Sequence, residues 1–127
     1  MALNQPPLHS MRRLFDGQLK EKQWQKMVEG QLDFFGWTWF HVPPNVIICP
    51  NCHWKIFRGI RKGFPDIVAF KAGFKPLWIE LKIEQGHLKP EQTAMGQMLL
   101  ACGQTWIWAR PRDRERVLQL IANPEAT

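Results

Sequence analysis

The chain has 127 residues, of which 45% are hydrophobic and 22% are charged. This length and balance predict one globular domain and exclude a disordered or fibrous chain. No apolar run approaches the roughly 18 residues of a membrane-spanning helix, and the first residues lack the apolar core of a secretory signal. We therefore expect a cytoplasmic protein. The net charge of +6 favours a polyanionic partner such as nucleic acid, with charge for solubility as the alternative.

The chain begins with a segment that shows no clean periodicity, and we interpret residues 1–18 as a flexible arm. Helical periodicity follows from residue 19 to residue 35, and Gly36 is typical of a helix end. The apolar positions that carry this period are Trp24, Met27, Val28, Leu32 and Phe35. Residues 37–42 are rich in aromatic side chains and predict a strand.

Residues 43–63 form a long excursion for so small a domain, and long excursions are often functional. Two short strands are expected in it, at 46–48 and 55–57, on either side of a Cys-Pro-Asn-Cys turn. Cys49 and Cys52 are half of a zinc ribbon, which normally needs a second cysteine pair. His53 and His41 are the nearby candidates to complete a structural zinc site, and a dimer could also pool the cysteine pairs of two chains. We prefer a hairpin tip with free thiols to that zinc site.

Two strong strand patterns come next, at 66–70 and 77–82, and the short link between them predicts a hairpin. Pro90 then sits where the first turn of a helix tolerates proline. The helix that it opens has an apolar face made of Ala94, Met95, Met98, Leu99 and Cys102.

Residues 105–108 predict a further strand and residues 112–121 a final helix. The element order is therefore αβββαβα, which predicts an α/β (α+β) fold with a mixed sheet flanked by helices. The domain spans 19–122, with the insertion at 43–63 and a short tail at 123–127.

Polar residues occupy several positions that strand alternation or helix periodicity predicts to face the interior. In the strand from Leu77, Glu80 and Lys82 share one face, and Asp66 opens the strand that pairs with it. Glu21 and Gln92 each fall on the apolar side of a helix. A salt bridge at a strand end and solvated first-turn residues are the alternative interpretation.

Carboxylates on neighbouring strands are suited to hard divalent cations, which bind carboxylate oxygens, water and substrate phosphate. A nearby lysine can position water and offset phosphate charge. Asp66 followed by Glu-x-Lys at 80–82 supplies both parts.

The spacing of these residues resembles the signature of the PD-(D/E)XK nuclease superfamily. Over residues 20–117 the chain is most similar to the stand-alone phage and bacterial members of its VRR-NUC branch. The segments that carry the resemblance are Gly63-Phe64-Pro65-Asp66-Ile67-Val68, Trp78-Ile79-Glu80-Leu81-Lys82, Gly86, Pro90-Glu91-Gln92, Gly103 and Trp108-Ala109-Arg110-Pro111. The resemblance implies the superfamily's restriction-endonuclease-like core and a Mg²⁺- or Mn²⁺-dependent endonuclease.

The resemblance also implies a role for each polar residue. Asp66 and Glu80 would be metal ligands, joined by the main-chain carbonyl of Leu81, and Glu21 would complete the metal site, often through water. Lys82 would be the catalytic lysine. The family's glutamine is matched by Gln92, which would orient Lys82, a water or a phosphate. The insertion at 43–63 departs from the family pattern.

A basic run precedes Asp66, and beside a phosphodiester-cutting site we interpret it as a clamp on the DNA backbone. Its members are Lys55, Arg58, Arg61 and Lys62. With one such site per chain, a homodimer that prefers branched or junction DNA is expected, and residues 37–40 and the insertion could supply its interface. The alternatives are a catalytically silent nucleic-acid-binding module with the same fold and a metal-poor RNA-binding domain.

Overall fold

The computed structural model describes residues 16–42, 46–48, 50–57 and 62–125. Residues 16–18 are helical and precede the elements named below. These elements, in chain order, are α1 (Glu21–Phe34), β1 (Thr38–His41), β2 (Val46–Ile48), β3 (Lys55–Phe57), β4 (Ile67–Phe70), β5 (Leu77–Leu81), α2 (Pro90–Ala101), β6 (Thr105–Ala109), a 3-10 turn (Pro111–Asp113) and α3 (Arg114–Ala122).

Four of the strands form one mixed sheet in the order β1-β4-β5-β6. The β1–β4 and β4–β5 pairs are antiparallel, and the β5–β6 pair is parallel. Strands β2 and β3 make a separate antiparallel ribbon inside the insertion. The predicted α+β fold with a mixed sheet and flanking helices is thus confirmed, with the helical residues 16–18 as an additional segment at the start.

The alternation of β5 divides the molecule into two layers. Leu77, Ile79 and Leu81 are at most 2% exposed and lie in the core with α1 and α3. The opposite face carries Glu80 and is covered by α2. Gly96 permits this cover, because a Cβ there would lie 2.3 Å from the Trp106 ring.

Two buried indole groups fix the helices on the first face. Trp24 of α1 donates its Nε1–H to the carbonyl of Ala109 at 3.2 Å, at the end of β6. Trp37 donates to the carbonyl of Ile121 in α3 at 3.0 Å. The first bond holds α1 beside the end of β6, and the second ties the segment before β1 to α3.

The boundaries predicted for the arm and the tail are wrong in part. Asp16 is 4% exposed and pairs with Arg114, so the helical residues 16–18 are joined to α3 through Asp16. Residues 1–15 of the predicted arm lie outside the described residues. In the tail, the carbonyl of Glu125 accepts a hydrogen bond from the backbone N–H of Lys75 at 3.0 Å.

The predicted apolar face of α2 is also corrected. Met98 is 61% exposed, whereas Leu99 and Gly96 are buried, because the close approach of Trp106 selects the glycine side of the helix. None of the helices in the described ranges has the length and apolar character needed to cross a bilayer.

Candidate active site

Asp66 and Glu80 come together because β4 and β5 pair in an antiparallel hairpin. Ile67 lies opposite Ile79, so the residue before β4 falls beside the end of β5. The Oδ2 atom of Asp66 accepts a hydrogen bond from the backbone N–H of Leu81 at 2.9 Å. This bond fixes one carboxylate against the strand that carries the other.

Glu80 is a buried carboxylate, only 2% exposed. Its Oε1 atom accepts a hydrogen bond from Gln92 Nε2 at 2.9 Å and lies 3.4 Å from Lys82 Nζ. Its Oε2 atom is buried and has no hydrogen-bond partner of good geometry within the described residues. A buried oxygen of this kind costs free energy unless a proton or a cation satisfies it.

The environment disfavours negative charge at both carboxylates. Burial, followed by repulsion from Asp66, raises the pKa of Glu80 to about 7, although Lys82 opposes the shift. Burial also raises the pKa of Asp66, against the stabilising N–H of Leu81. When both carboxylates are ionised, their negative charge exceeds what the surroundings compensate, so the pair favours a proton on one of them or a nearby cation.

Gln92 is placed by the first turn of α2. Its Oε1 atom accepts a hydrogen bond from the backbone N–H of Lys89 at 2.8 Å, as in half of a capping box, so its amide N–H₂ points to Glu80. The contact that the structure shows for the Gln92 side chain is with Glu80, and its orientation of Lys82, a water or a phosphate stays a prediction.

A glycine brings the strand and α2 close together at this point. Gly63 has φ +96°, and a Cβ at this position would lie 2.2 Å from the carbonyl oxygen of Glu91. Only glycine allows both this backbone conformation and this approach. The segment leading to Asp66 is thereby packed directly against the turn that carries Gln92.

Glu21 is not inward-facing as predicted. It is the first residue of α1 and is exposed, and burial on this helix begins at Trp24, one turn later. Its negative charge still contributes to the raised pKa of Asp66. In the described part of the chain, no group of three or more His, Cys, Asp or Glu side chains is placed to hold a metal ion.

Gln25, Glu29 and His41 form a polar cluster between α1 and β1 that was not predicted from the sequence. Gln25 and Glu29 follow Glu21 at four-residue steps, which was the available signal for a shared helix side. His41 Nε2 lies 2.7 Å from Glu29 Oε1 and 2.9 Å from the amide nitrogen of Gln25. Positive charge on His41 lowers the pKa of Asp66. His41 therefore contributes to the environment of Asp66.

The loop between β5 and α2, residues 82–89, is held by two arginines whose contacts were also not predicted from the sequence. Arg110 donates from Nε to the carbonyl of Gly86 at 2.8 Å, with Nη2 2.8 Å from His87 Nδ1. Arg112 pairs with Glu84 at 2.5 Å. The segment that directly follows β6 thus holds the loop that joins Lys82 to α2.

The structure describes only some of the residues for which roles were predicted in and around the insertion. Cys49, Arg58 and Arg61 lie outside the described residues. Cys52 is an exposed free thiol beside the exposed His53. Lys55 and Lys62 are exposed, as members of a DNA clamp need to be.

The donor set at Asp66 and Glu80 fits a hard divalent cation. Both groups offer carboxylate oxygens, one of these oxygens is buried without a partner, and their mutual repulsion would be relieved by a cation between them. The further ligands expected at the Leu81 carbonyl and, through water, at Glu21 remain predictions.

No family model, no curated protein and no solved structure matches this chain.

Proposed function

We propose that the chain is a metal-dependent DNA endonuclease of the PD-(D/E)XK type, hydrolysing phosphodiester bonds with Mg²⁺ or Mn²⁺. The observation that carries this proposal is the meeting of Asp66, Glu80 and Lys82 at one end of two paired strands. The resemblance to VRR-NUC nucleases, with its restriction-endonuclease-like core, supports the same conclusion.

Asp66 and Glu80 would hold the metal through their carboxylate oxygens. A bound divalent cation supplies Lewis-acid activation of water and stabilises charge on the phosphate. The N–H of Leu81 keeps Asp66 in place, and the amide of Gln92 occupies one oxygen of Glu80, which leaves Oε2 available as a ligand.

Lys82 follows Glu80 by two residues and shares its side of β5. Its side chain is 16% exposed, so the ammonium is reachable from solvent while its position is fixed by Glu80. In the proposed reaction it donates hydrogen bonds to the attacking water or to a phosphate oxygen and offsets developing negative charge.

DNA would be recognised by charge and shape. The chain carries a net charge of +6, Lys55 of β3 is exposed, and the exposed Lys62 directly precedes the segment that leads to Asp66. Contacts to the phosphate backbone position a duplex without specifying its sequence. We therefore propose branched or junction DNA as the substrate and a homodimer as the active form.

The deciding experiment compares cleavage by wild type, Asp66→Asn and Glu80→Gln on flapped, four-way and linear DNA with Mg²⁺. Each variant keeps the side-chain size and removes a ligand charge, so we expect loss of cleavage by at least about 100-fold with retained folding. Glu91→Gln, which removes an exposed carboxylate from the same helix as Gln92, is the matched control and should cut normally.

Two results would contradict the proposal. Cleavage by either site variant at the wild-type rate would exclude the carboxylates from the reaction. Binding of DNA by wild type with no cleavage in Mg²⁺ or Mn²⁺ would instead support the silent binding module.

A further inference from the structure

Strand β6 is an edge of the sheet formed by the described residues, and the peptide groups of two of its five residues point away from β5. The N–H of Thr105 donates to the carbonyl of Pro76 at 3.4 Å, and the carbonyl of Ala109 accepts from Lys82 at 2.9 Å. Because peptide groups alternate along a strand, those of Trp106 and Trp108 face the free edge. There, Arg116 Nη2 donates to the carbonyl of Trp108 at 2.9 Å.

A cavity of about 740 Å³ runs along this free edge, between the end of α2 and the outer side of α3. We call it the β6 groove. Its walls include the apolar side chains of Leu100 and Leu120, and its charged residues are Arg116, Lys75 and Glu125. Leu100 is 47% exposed. An exposed apolar side chain beside an edge strand favours pairing with another chain.

We propose that the β6 groove is filled by β6 of a second copy of this chain, paired antiparallel about a two-fold axis at Ile107. In this register Trp106 lies opposite Trp108 of the partner, and the N–H and C=O groups of both residues make four hydrogen bonds. The strand is self-complementary about its centre because its outward groups lie one residue to either side of Ile107.

The charges of the groove match the same two-fold arrangement. Arg116 lies at the Trp108 end of β6, and among the described residues it pairs with no carboxylate. Glu125 lies at the Thr105 end, where it pairs with Lys75 at 3.3 Å in an exposed contact. Antiparallel pairing brings these opposite ends together, so that Arg116 meets the partner's Glu125.

In the dimer, Arg116 leaves the carbonyl of Trp108 for that carboxylate. The carbonyl then accepts the N–H of the partner's Trp106. Since the exposed Lys75–Glu125 pair contributes little to stability in the monomer, sharing Glu125 costs little.

The resulting sheet has eight strands and two sites on one face, an implication that depends on the proposed nuclease function. Glu80 lies opposite Trp108, one residue from the axis, and three strand spacings separate the two copies of β5. From ordinary strand dimensions, the two Glu80 Cα atoms would be roughly 16 Å apart. Two cuts so placed would fall in opposing DNA strands a few nucleotides apart.

The first test compares Leu100→Glu with Met98→Glu by sedimentation velocity of metal-free protein at micromolar concentration. Leu100 lines the groove, whereas Met98 is an exposed apolar residue of the same helix outside it. We expect dimers for wild type and Met98→Glu and monomers for Leu100→Glu, all three with the same circular dichroism spectrum. A monomeric wild type would overturn the proposal by showing that the chain does not self-associate. A dimer unaffected by Leu100→Glu would overturn it too, and would place the interface elsewhere, for example at β1, the opposite edge of the sheet.

The second test exchanges the charges across the axis. Arg116→Glu and Glu125→Arg should each raise the dimer dissociation constant about tenfold, and the double variant should restore it. Failure of the double variant to recover would exclude this pairing. Because these measurements need no metal or DNA, a dimer that never cuts DNA would leave the interface standing and overturn only the nuclease.

Discussion

Glu80 combines burial with a negative charge at the centre of the site. Its 2% exposure and its repulsion by Asp66 mean that a proton on Glu80 stabilises the metal-free protein, as a bound cation would. In the proposed metal site, Glu80 would couple protonation, metal binding and folding.

We predict that the stability of the metal-free protein falls as the pH rises. Since the pKa of Glu80 is about 7 in the fold and near 4.5 in the unfolded chain, its favourable contribution is complete below 4.5 and is lost as the pH rises through 7. Above pH 7, metal-free Glu80→Gln should be more stable than wild type by about 1 kcal/mol. Urea unfolding of both proteins across this window measures the difference, and a constant difference would contradict the shift.

Metal binding should show the opposite dependence on pH. Protons compete with Mg²⁺ for Glu80, so the Mg²⁺-induced rise in Tm should grow as the pH increases through about 7. Thermal unfolding with and without Mg²⁺ tests this, with Glu80→Gln as the control that should show little rise at any pH.

A Lys82 variant would distinguish the proposed chemistry from metal binding. We predict that Lys82→Ala lowers the cleavage rate by about 100-fold while the Mg²⁺-induced rise in Tm persists, because in the proposed reaction the lysine would act on substrate charge and water and not on the metal. Normal cleavage by Lys82→Ala would make the residue only an ion-pair partner of Glu80.

At the scale of elements, the site depends on how α2 is docked against the segment before β4. We predict that Gly63→Ala destabilises the fold by about 2 kcal/mol or more and reduces cleavage, since its Cβ would displace the turn that carries Gln92. Gly36→Ala is the matched control, because Gly36 also has a positive φ, +80°, but has open space around it. Equal losses in the two variants would show that backbone strain alone matters.

The elements and the juxtaposition of Asp66, Glu80 and Lys82 could be predicted from sequence, but the contacts that support them could not. Strand alternation was enough to place Glu80 opposite the core face, and the hairpin pattern was enough to bring Asp66 beside it. Glu21 was predicted to face the interior because helix periodicity shows which side of the helix a residue lies on. Periodicity does not show at which residue along the helix axis burial begins, which here is Trp24. The contacts of Arg110 with the 82–89 loop and of His41 with Glu29 depend on tertiary packing, for which a linear pattern carries no signal.

At the scale of the whole molecule, net positive charge should govern DNA affinity. We predict that neutralising Arg58, Arg61 and Lys62 together weakens binding to all sequences alike and reduces the salt slope by up to about three, since each phosphate contact releases about one counterion. Titrations of wild type and the triple variant at several salt concentrations measure this. Neutralising Lys22 and Lys26 on α1 is the control, and an unchanged slope in the triple variant would exclude the clamp.

The β4–β5 hairpin also has a consequence for the order in which the molecule forms. It is local in sequence, with Asp66 and Glu80 fourteen positions apart, whereas the β5–β6 pair joins strands separated by a whole helix. Loop closure favours the local pair, so on a folding pathway the two carboxylates meet before Gln92 arrives with α2. Their repulsion then belongs to the folding barrier as well as to the native state, so we expect a divalent cation held by the two carboxylates to speed folding of the chain.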